Sequence, residues 1–396
     1  LSVAGTFESS VWPLLARLGG PGQGAALESR VLFAGRPRAL LVPARDARGA
    51  HAAVSFFVSS PLRRLMGHAM LLADRWLPLN LLPRVRWEGF PARALFGGAA
   101  REGACAVLCG SPGPLQKVTV LHPPQGDAPA RVAKVALRAS ADAAVAVEER
   151  WLRQLNAAPV LAPYVPRLTA AGELAGGRRY VAMDALDGED AAPVFGEAQR
   201  RFLAALAATG CVKLPWAQAP SMRTLLERVR GQAGLYGRWR DVIEASLAEV
   251  EGRIGGMVLP ACLAHGDFAP WNLRVDGERL RVFDWEYAHA GASPLHDFFH
   301  FHLVPEVLRG RELDVAALCS LLPRAAAHGR AVFGAASGVD QAAPALAAQY
   351  LLEVVTFYTA ADRELKAEHP VLRVYLELLA RRGLWMGWAD EMKEAA

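Results

Sequence analysis

Lysine is scarce in this chain. Of 44 basic residues in 396, 39 are arginine and five are lysine: Lys117, Lys134, Lys213, Lys366 and Lys393. Arginine serves wherever a generic positive charge is wanted, so a lysine in a motif position carries more information here than in an average protein. Cysteine is also sparse. Its five copies (Cys105, Cys109, Cys211, Cys262 and Cys319) are odd in number and form no CxxC pair. That argues against a zinc site or a disulfide framework and toward a reducing, cytoplasmic compartment. Long uncharged apolar runs are missing too. The most apolar stretch, residues 69–85, is broken by Asp74, Arg75, Arg84 and two prolines, whereas a membrane-crossing helix needs about 20 nearly uncharged residues. No signal-peptide pattern, internal repeat or low-complexity tract is visible.

What is present points to a globular chain, 53% apolar and 21% charged, long enough for two or three domains. The net charge of +5 is unevenly placed. Residues 1–100 hold 12 arginines against five acids, while the remaining 32 basic and 34 acidic residues leave a small negative balance. An arginine-rich solvated surface is the plain reading of the first quarter, with nucleic acid or a membrane surface as the alternative partner.

Residues 1–95 read as an appended α+β unit: a short helix at residues 11–18, strands at 30–33, 39–42 and 53–58, then an amphipathic helix from Pro61 to about Leu77. Three strand-like runs follow, ACAVLC, LQKVTVL and RVAKVALR, joined by Gly- and Pro-dense linkers as in an antiparallel meander. A helix over 142–155 and a strand over 179–185 complete that segment. Beyond Pro193 the pattern is helical, interrupted once by a strand-rich stretch at 263–287.

That interruption carries the chemistry: LAHGDFAPWNLRVDGERLRVFDWEYAHAGASPLHD. Asp267 and Asn272 share a loop, and Asp284 comes twelve residues after Asn272, with a Val275-Asp276-Gly277 turn predicting a hairpin between them. A hairpin brings its ends together, so Asn272 and Asp284 can hold one hard cation through oxygen atoms. Asp267 lies one tight turn earlier, placed to accept a proton from an attacking hydroxyl. These are the parts of phosphoryl transfer: an orienting carboxylate for the acceptor, and oxygen ligands for Mg2+ on the phosphates.

HGDFAPWN followed by FDWE resembles the catalytic and metal-binding motifs of the aminoglycoside phosphotransferase / choline kinase family, relatives of the protein kinases. GASPLHD is similar to that family's G-x-P-x-x-D, with Asp297 as the residue bracing the loop and Ala292 where the glycine would stand. The resemblance implies an α+β, protein-kinase-like two-lobed fold, with 96–187 as a sheet-based N-lobe with hinge and 188–396 as a helical C-lobe, and it leaves 1–95 as an accessory unit of unknown role. It implies ATP or GTP as co-substrate with Mg2+, and a small-molecule hydroxyl as acceptor. His265 becomes a scaffold residue. Lys134, on the third strand of the meander, becomes the phosphate-binding lysine, with Glu148 as its partner and Glu149 as the fallback. Gly110, Ser111 and Gly113 fall where a phosphate-covering loop would lie, although Pro112 and Pro114 have no N–H to offer. Met183, Asp184 and Leu186 fall in the hinge that would meet the adenine. Acidic and aromatic residues offered for the acceptor are Glu286, Asp187, Glu189, Asp190, Glu353, Tyr350, Tyr358 and Asp362. A catalytically silent binding module on the same fold is the competing reading, although such modules usually lose a metal ligand or the lysine, and all the parts are retained here.

Overall fold

The computed structural model of the chain describes residues 26–387 apart from 34–38, 77–80, 99, 101, 127 and 187, together with Leu15 and Leu18. The helix expected over 11–18 otherwise lies outside the described residues. The chain divides into two compact units, Leu1–Gly188 and Glu189–Ala396.

Among the described residues the first unit is built on one antiparallel sheet of eight strands: β1 (Leu27–Leu32), β2 (Leu40–Pro43), β3 (Arg84–Trp87), β4 (Ala106–Cys109), β5 (Lys117–His122), β6 (Arg131–Ala136), β7 (Leu168–Glu173) and β8 (Arg179–Asp184). Their order across the sheet is β3-β1-β2-β4-β5-β6-β8-β7. The expected meander is therefore its centre, and the strands from the first 95 residues extend the same sheet by the β2–β4 pairing, Leu40 opposite Leu108. One strand expectation fails. Residues 53–57 belong to helix α1 (Ala47–Phe57), with Val58 its C-cap, because Asp46 caps the start by accepting from Gly49 N, and Ala50, Ala53 and Val54 bury a helical rather than an alternating stripe. Helices α2 (Pro61–Trp76) and α3 (Ala92–Phe96) follow. Helix α4 (Ala139–Ala157) buries Ala141, Val145, Glu148, Leu152 and Leu155 at helical spacing. A glutamate in the middle of an apolar stripe requires a partner.

The second unit is mostly helical: α5 (Glu197–Gly210), α6 (Pro220–Gly231), α7 (Arg240–Ile254), α8 (His296–Leu308), α9 (Val315–Phe333), α10 (Val339–Asp362) and α11 (Pro370–Ala380). Helix α10 is apolar nearly all round and runs through the core, with Tyr350, Leu351 and Val355 fully buried. Helix α8 escapes sequence reading for the same reason: ten of its thirteen residues are buried, so no polar face marks its period. Two small sheets carry the loops of interest. One runs β10 (Val212–Pro215), β11 (Val258–Ala264), β14 (His289–Ala292); the other runs β13 (Arg279–Val282), β12 (Leu273–Asp276), β9 (Glu189–Asp190).

The cysteine expectation is corrected here. Antiparallel β10 and β11 pair Val212 with Ala261, which sets Cys211 opposite Cys262 at a Cα separation of 4.3 Å, and the two are joined as a disulfide. A separation of 51 residues in sequence gives no hint of such a cross-strand pair. The premise behind the reducing compartment is thereby removed. Among the described residues no helix is long and apolar enough to cross a membrane.

Candidate active site

Strand β11 ends at Ala264 and delivers the chain into the loop of His265, Gly266 and Asp267. The carboxylate of Asp297, in the first turn of α8, accepts from the backbone N–H of His265 at 2.7 Å and of Gly266 at 3.0 Å. Gly266 has φ +82°, and a Cβ there would lie 2.4 Å from the Tyr287 carbonyl oxygen, so only glycine fits the turn. The His265 ring is fully buried. Its Nδ1 accepts from Asp267 N at 3.2 Å, which puts the proton on Nε2, 3.0 Å from the Phe283 carbonyl. His265 thus ties the loop to the strand end that precedes Asp284.

The departure at Ala292 also has a structural account. Ala292 sits in β14 opposite Cys262, and the left-handed backbone falls one residue earlier, at Gly291 with φ +72°.

Asn272 is buried and donates from Nδ2 to the Asp267 carbonyl oxygen (2.9 Å) and to its Oδ2 (2.8 Å). This leaves the side-chain oxygen of Asn272 as its acceptor atom. The β12–β13 hairpin pairs Leu273 with Val282, and Phe283 N donates to Asn272 O at 3.1 Å. Asn272 and Asp284 therefore flank the open end of the hairpin. Asp284 adopts a left-handed conformation, φ 71° and ψ 59°, which Asp tolerates better than most residues and which turns the chain sharply after β13.

Asp267 and Asp284 bear on one aromatic group. Burial first, then the charges of Asp284 and Asp267, push the Tyr287 hydroxyl up to about 12. The Tyr358 hydroxyl is also raised, by burial and then by Asp267 and Asp362. Phe357 meets the Tyr287 ring edge-on at 5.8 Å.

One contact was not anticipated from sequence. His300 Nε2 lies 2.9 Å from Asp267 Oδ1, and its Nδ1 lies 3.2 Å from the Tyr350 hydroxyl, itself 3.4 Å from the Tyr375 hydroxyl. Assigned as a neutral imidazole, His300 donates to Asp267 and accepts from Tyr350, giving a buried chain of donors aimed at the carboxylate. Its sequence trace is the position three residues after Asp297, but a lone histidine in an aromatic run is not distinguishable from core.

Two acceptor candidates already have polar partners. Tyr350 is fully buried in the chain just described, and Glu353 bonds His296 Nδ1 at 2.9 Å and Gln349 Nε2 at 2.7 Å. Asp362 pairs with Lys366, Asp190 pairs with Arg274, and Asp187 lies outside the described residues. The His296–Glu353 pair makes stability depend on pH. Burial lowers the His296 pKa, but the hydrogen bond and charge of Glu353 outweigh it and hold the imidazole above its usual 6.5. Burial acts upward on Glu353, yet His296 holds it below its usual 4.5. The histidine contribution is complete below 6.5 and is lost as pH rises through the raised value; the glutamate contribution is complete above 4.5 and is lost as pH falls through the lowered one. Urea unfolding should therefore show this pair at full strength between those limits, and His296→Gln should flatten the decline on the alkaline side. An unchanged alkaline limb in the variant would contradict the pairing.

In the first unit, Lys134 Nζ lies 2.6 Å from Glu148 Oε1, with the lysine side chain 13% and the glutamate side chain 1% exposed. Glu149 instead pairs with Arg153 and Arg179. In the glycine loop, Gly110 N donates to Lys117 O at 2.9 Å and Gln116 N to Gly113 O at 3.2 Å, so the segment closes as a hairpin turn and the Gly110 amide is not available to a phosphate. Ser111 lies between these two glycines. In the hinge segment Met183 is buried in β8, and the amides of Asp184 and Ala185 donate to Arg167 O and Ala130 O. The Asp184 carboxylate bonds Arg167. Leu186 is the first residue beyond those ladder bonds.

An antiparallel sheet with a buried lysine–glutamate pair, followed in sequence by a helical unit bearing an Asp–Asn loop and a hairpin-borne Asp, defines the protein-kinase-like α+β two-lobed fold. The profile of the phosphotransferase enzyme family (APH) matches residues 121–331, more than half of the chain, and the chain belongs to this family. No curated protein sequence matches. Among solved structures, a thermostable mutant of aminoglycoside phosphotransferase APH(4)-Ia in ternary complex with AMP-PNP and hygromycin B is 14% identical, with 74% of this chain and 97% of that one covered at a TM-score of 0.49. The gentamicin–APH(2")-IIa complex is 16% identical (74% and 95% covered, TM-score 0.47). The macrolide 2'-phosphotransferase MphH from Brachybacterium faecium is 22% identical (69% and 91% covered, TM-score 0.40). At these values the likenesses transfer neither a substrate nor a site to this chain.

Proposed function

We propose that the chain transfers the γ-phosphoryl group of ATP or GTP to a hydroxyl of a small metabolite, sugar or aminoglycoside-like acceptor. The observation that carries this reading is the convergence of Asp267, Asn272 and Asp284 at the open end of one hairpin. Asp267 takes the proton of the acceptor hydroxyl as the new O–P bond forms and the bond from the γ-phosphorus to the bridging oxygen breaks, releasing the nucleoside diphosphate. Asn272 and Asp284 would hold Mg2+, which when bound neutralises charge on the phosphates.

The donor set fits that ion: one amide oxygen and one carboxylate, both hard, with phosphates and water completing the shell as Mg2+ prefers. Lys134, held by Glu148, positions the triphosphate. Leu186 and the backbone around Met183 and Asp184 border the base. Ser111 and Gly113 offer the phosphates little beyond close approach. In this reading residues 96–187 and 188–396 are the two kinase lobes, and 1–95 are an accessory segment whose strands widen the N-lobe sheet. A panel of hydroxyl-bearing metabolites and antibiotics, scored for enzyme-dependent nucleoside diphosphate release with Mg2+, tests the proposal. Absence of turnover on every member, with tight Mg-nucleotide binding retained, would favour the silent module instead.

His300 acts as a positioning residue for Asp267. His300→Ala is expected to lower kcat by about 10²-fold through misplacement of the carboxylate, with nucleotide KM nearly unchanged. His300→Asn, which keeps a donor, should recover part of the loss. Equal loss in both variants, tracking lowered thermal stability, would make His300 merely structural.

A further inference from the structure

Helix α2 has two distinct faces. One packs inward through Gly67, Leu71 and Asp74. A Cβ on Gly67 would lie 2.9 Å from Val54 Cγ1, a measure of how closely α2 lies on α1. The opposite face carries Leu62, Leu65, Met66, Leu72 and Trp76 at 68, 66, 48, 48 and 75% exposure. Together with exposed Ala69 they share one side of the helix, each with a neighbour three or four residues along, and Leu81 beyond the helix is also exposed. Single exposed apolar residues mean little, but a continuous ridge of five large ones marks a surface that something covers.

The charges around the ridge indicate what covers it. The helix itself, Pro61–Trp76, carries three arginines (Arg63, Arg64 and Arg75) and a single acid, Asp74. That acid points inward, accepting from Leu82 N at 3.0 Å and pairing with Arg30 at 2.8 Å, so it offers no negative charge at the surface. Arg63 and Arg75 are exposed on either side of the ridge, and the Arg75 guanidinium lies 5.6 Å from the Trp76 ring centroid. A second copy of the chain laid on this ridge would set arginine against arginine with no acid on the helix to answer it, which disfavours self-pairing. A surface that is apolar inside and negative outside fits instead.

We propose that α2 is an in-plane docking helix for a bilayer rich in anionic phospholipid: Leu62, Leu65, Met66, Leu72 and Trp76 enter the acyl boundary, and Arg63 and Arg75 meet the headgroups. Sixteen residues make a helix of about 24 Å that lies in the interface rather than crossing it.

Co-sedimentation of the full chain with phosphatidylcholine vesicles, with and without about 30 mol% phosphatidylserine, tests this at about 50 and about 500 mM NaCl. Binding is expected only with phosphatidylserine, weakening as salt rises. The double variant Leu65→Glu, Trp76→Glu should bind at least about tenfold more weakly, with its circular dichroism and melting unchanged. Arg63→Gln with Arg75→Gln, which leaves the ridge intact, should weaken binding and its salt dependence and so guards against a folding artefact in the first variant. Three results overturn the proposal: no binding to either vesicle, equal binding of wild type and both variants, or light scattering that shows a dimer dispersed by Leu65→Glu, Trp76→Glu without any vesicle binding.

Discussion

Replacing Asp267 by Asn is expected to lower kcat by about 10²–10⁴-fold, the usual worth of a positioned general base, while leaving the affinity for Mg-nucleotide within a few-fold of wild type. The hydrogen bonds explain why the loop should survive. In the native site both Asp267 oxygens accept, Oδ1 from His300 and Oδ2 from Asn272. An asparagine keeps one acceptor for Asn272 Nδ2 and turns a donor toward His300, which can meet it by moving its own proton to Nδ1 and donating to Tyr350. Geometry is then retained and only the capacity to take a proton is lost. Single-turnover kinetics on any acceptor identified by the panel would read this directly. Near-normal turnover by Asp267→Asn would exclude Asp267 as the base.

Lys134→Ala should have two separable effects. The ammonium and carboxylate are both largely withdrawn from water, and the second oxygen of Glu148 is buried without a hydrogen bond, so the glutamate depends on Lys134. Removing one partner of such a pair leaves an uncompensated charge and costs about 3–5 kcal/mol, enough to lower the melting temperature by on the order of 10 °C. Nucleotide affinity should fall as well. The double variant Lys134→Met, Glu148→Leu separates the two, because replacing both charges with apolar groups restores stability and leaves the phosphates without their cation. Recovery of nucleotide binding along with stability in that variant would reduce Lys134 to a structural role.

The parts of this protein legible in its sequence are those where local chemistry and local geometry coincide. HGDFAPWN and FDWE could be read because a short loop and a hairpin need few residues at fixed spacing, and both ends of the hairpin lie within twelve residues of one another. The family resemblance called for a lysine on the third strand, where the rare Lys134 stands, and it favoured Glu148 over Glu149 because Leu152 and Leu155 follow at the family's spacing; the pairing of Lys134 with Glu148 agrees. Contacts made across long sequence distances were not legible. The pairing of Cys211 with Cys262 depends on a strand register, and the reach of His300 to Asp267 depends on where α8 starts. Tyr350 and Glu353 looked like ligand groups because a helix face displays them together. Tyr350 is buried and bonds His300 and Tyr375, while Glu353 is part-buried and bonds His296 and Gln349, so both already have polar partners. The strand expected at 53–58 gave way to a helix since the Asp46 cap and alanine spacing outweighed a short apolar alternation.

The claim on which the enzyme rests is that an amide and a carboxylate, folded side by side by the β12–β13 hairpin, jointly hold one cation against the triphosphate. Calorimetric titration of ATP with and without Mg2+ into wild type and Asp284→Ala measures it. Wild type should bind ATP at least about tenfold more tightly with Mg2+, and Asp284→Ala should bind equally with and without it. If Asp284→Ala keeps the full magnesium dependence of the wild type, the cation is held elsewhere and the proposed site is wrong.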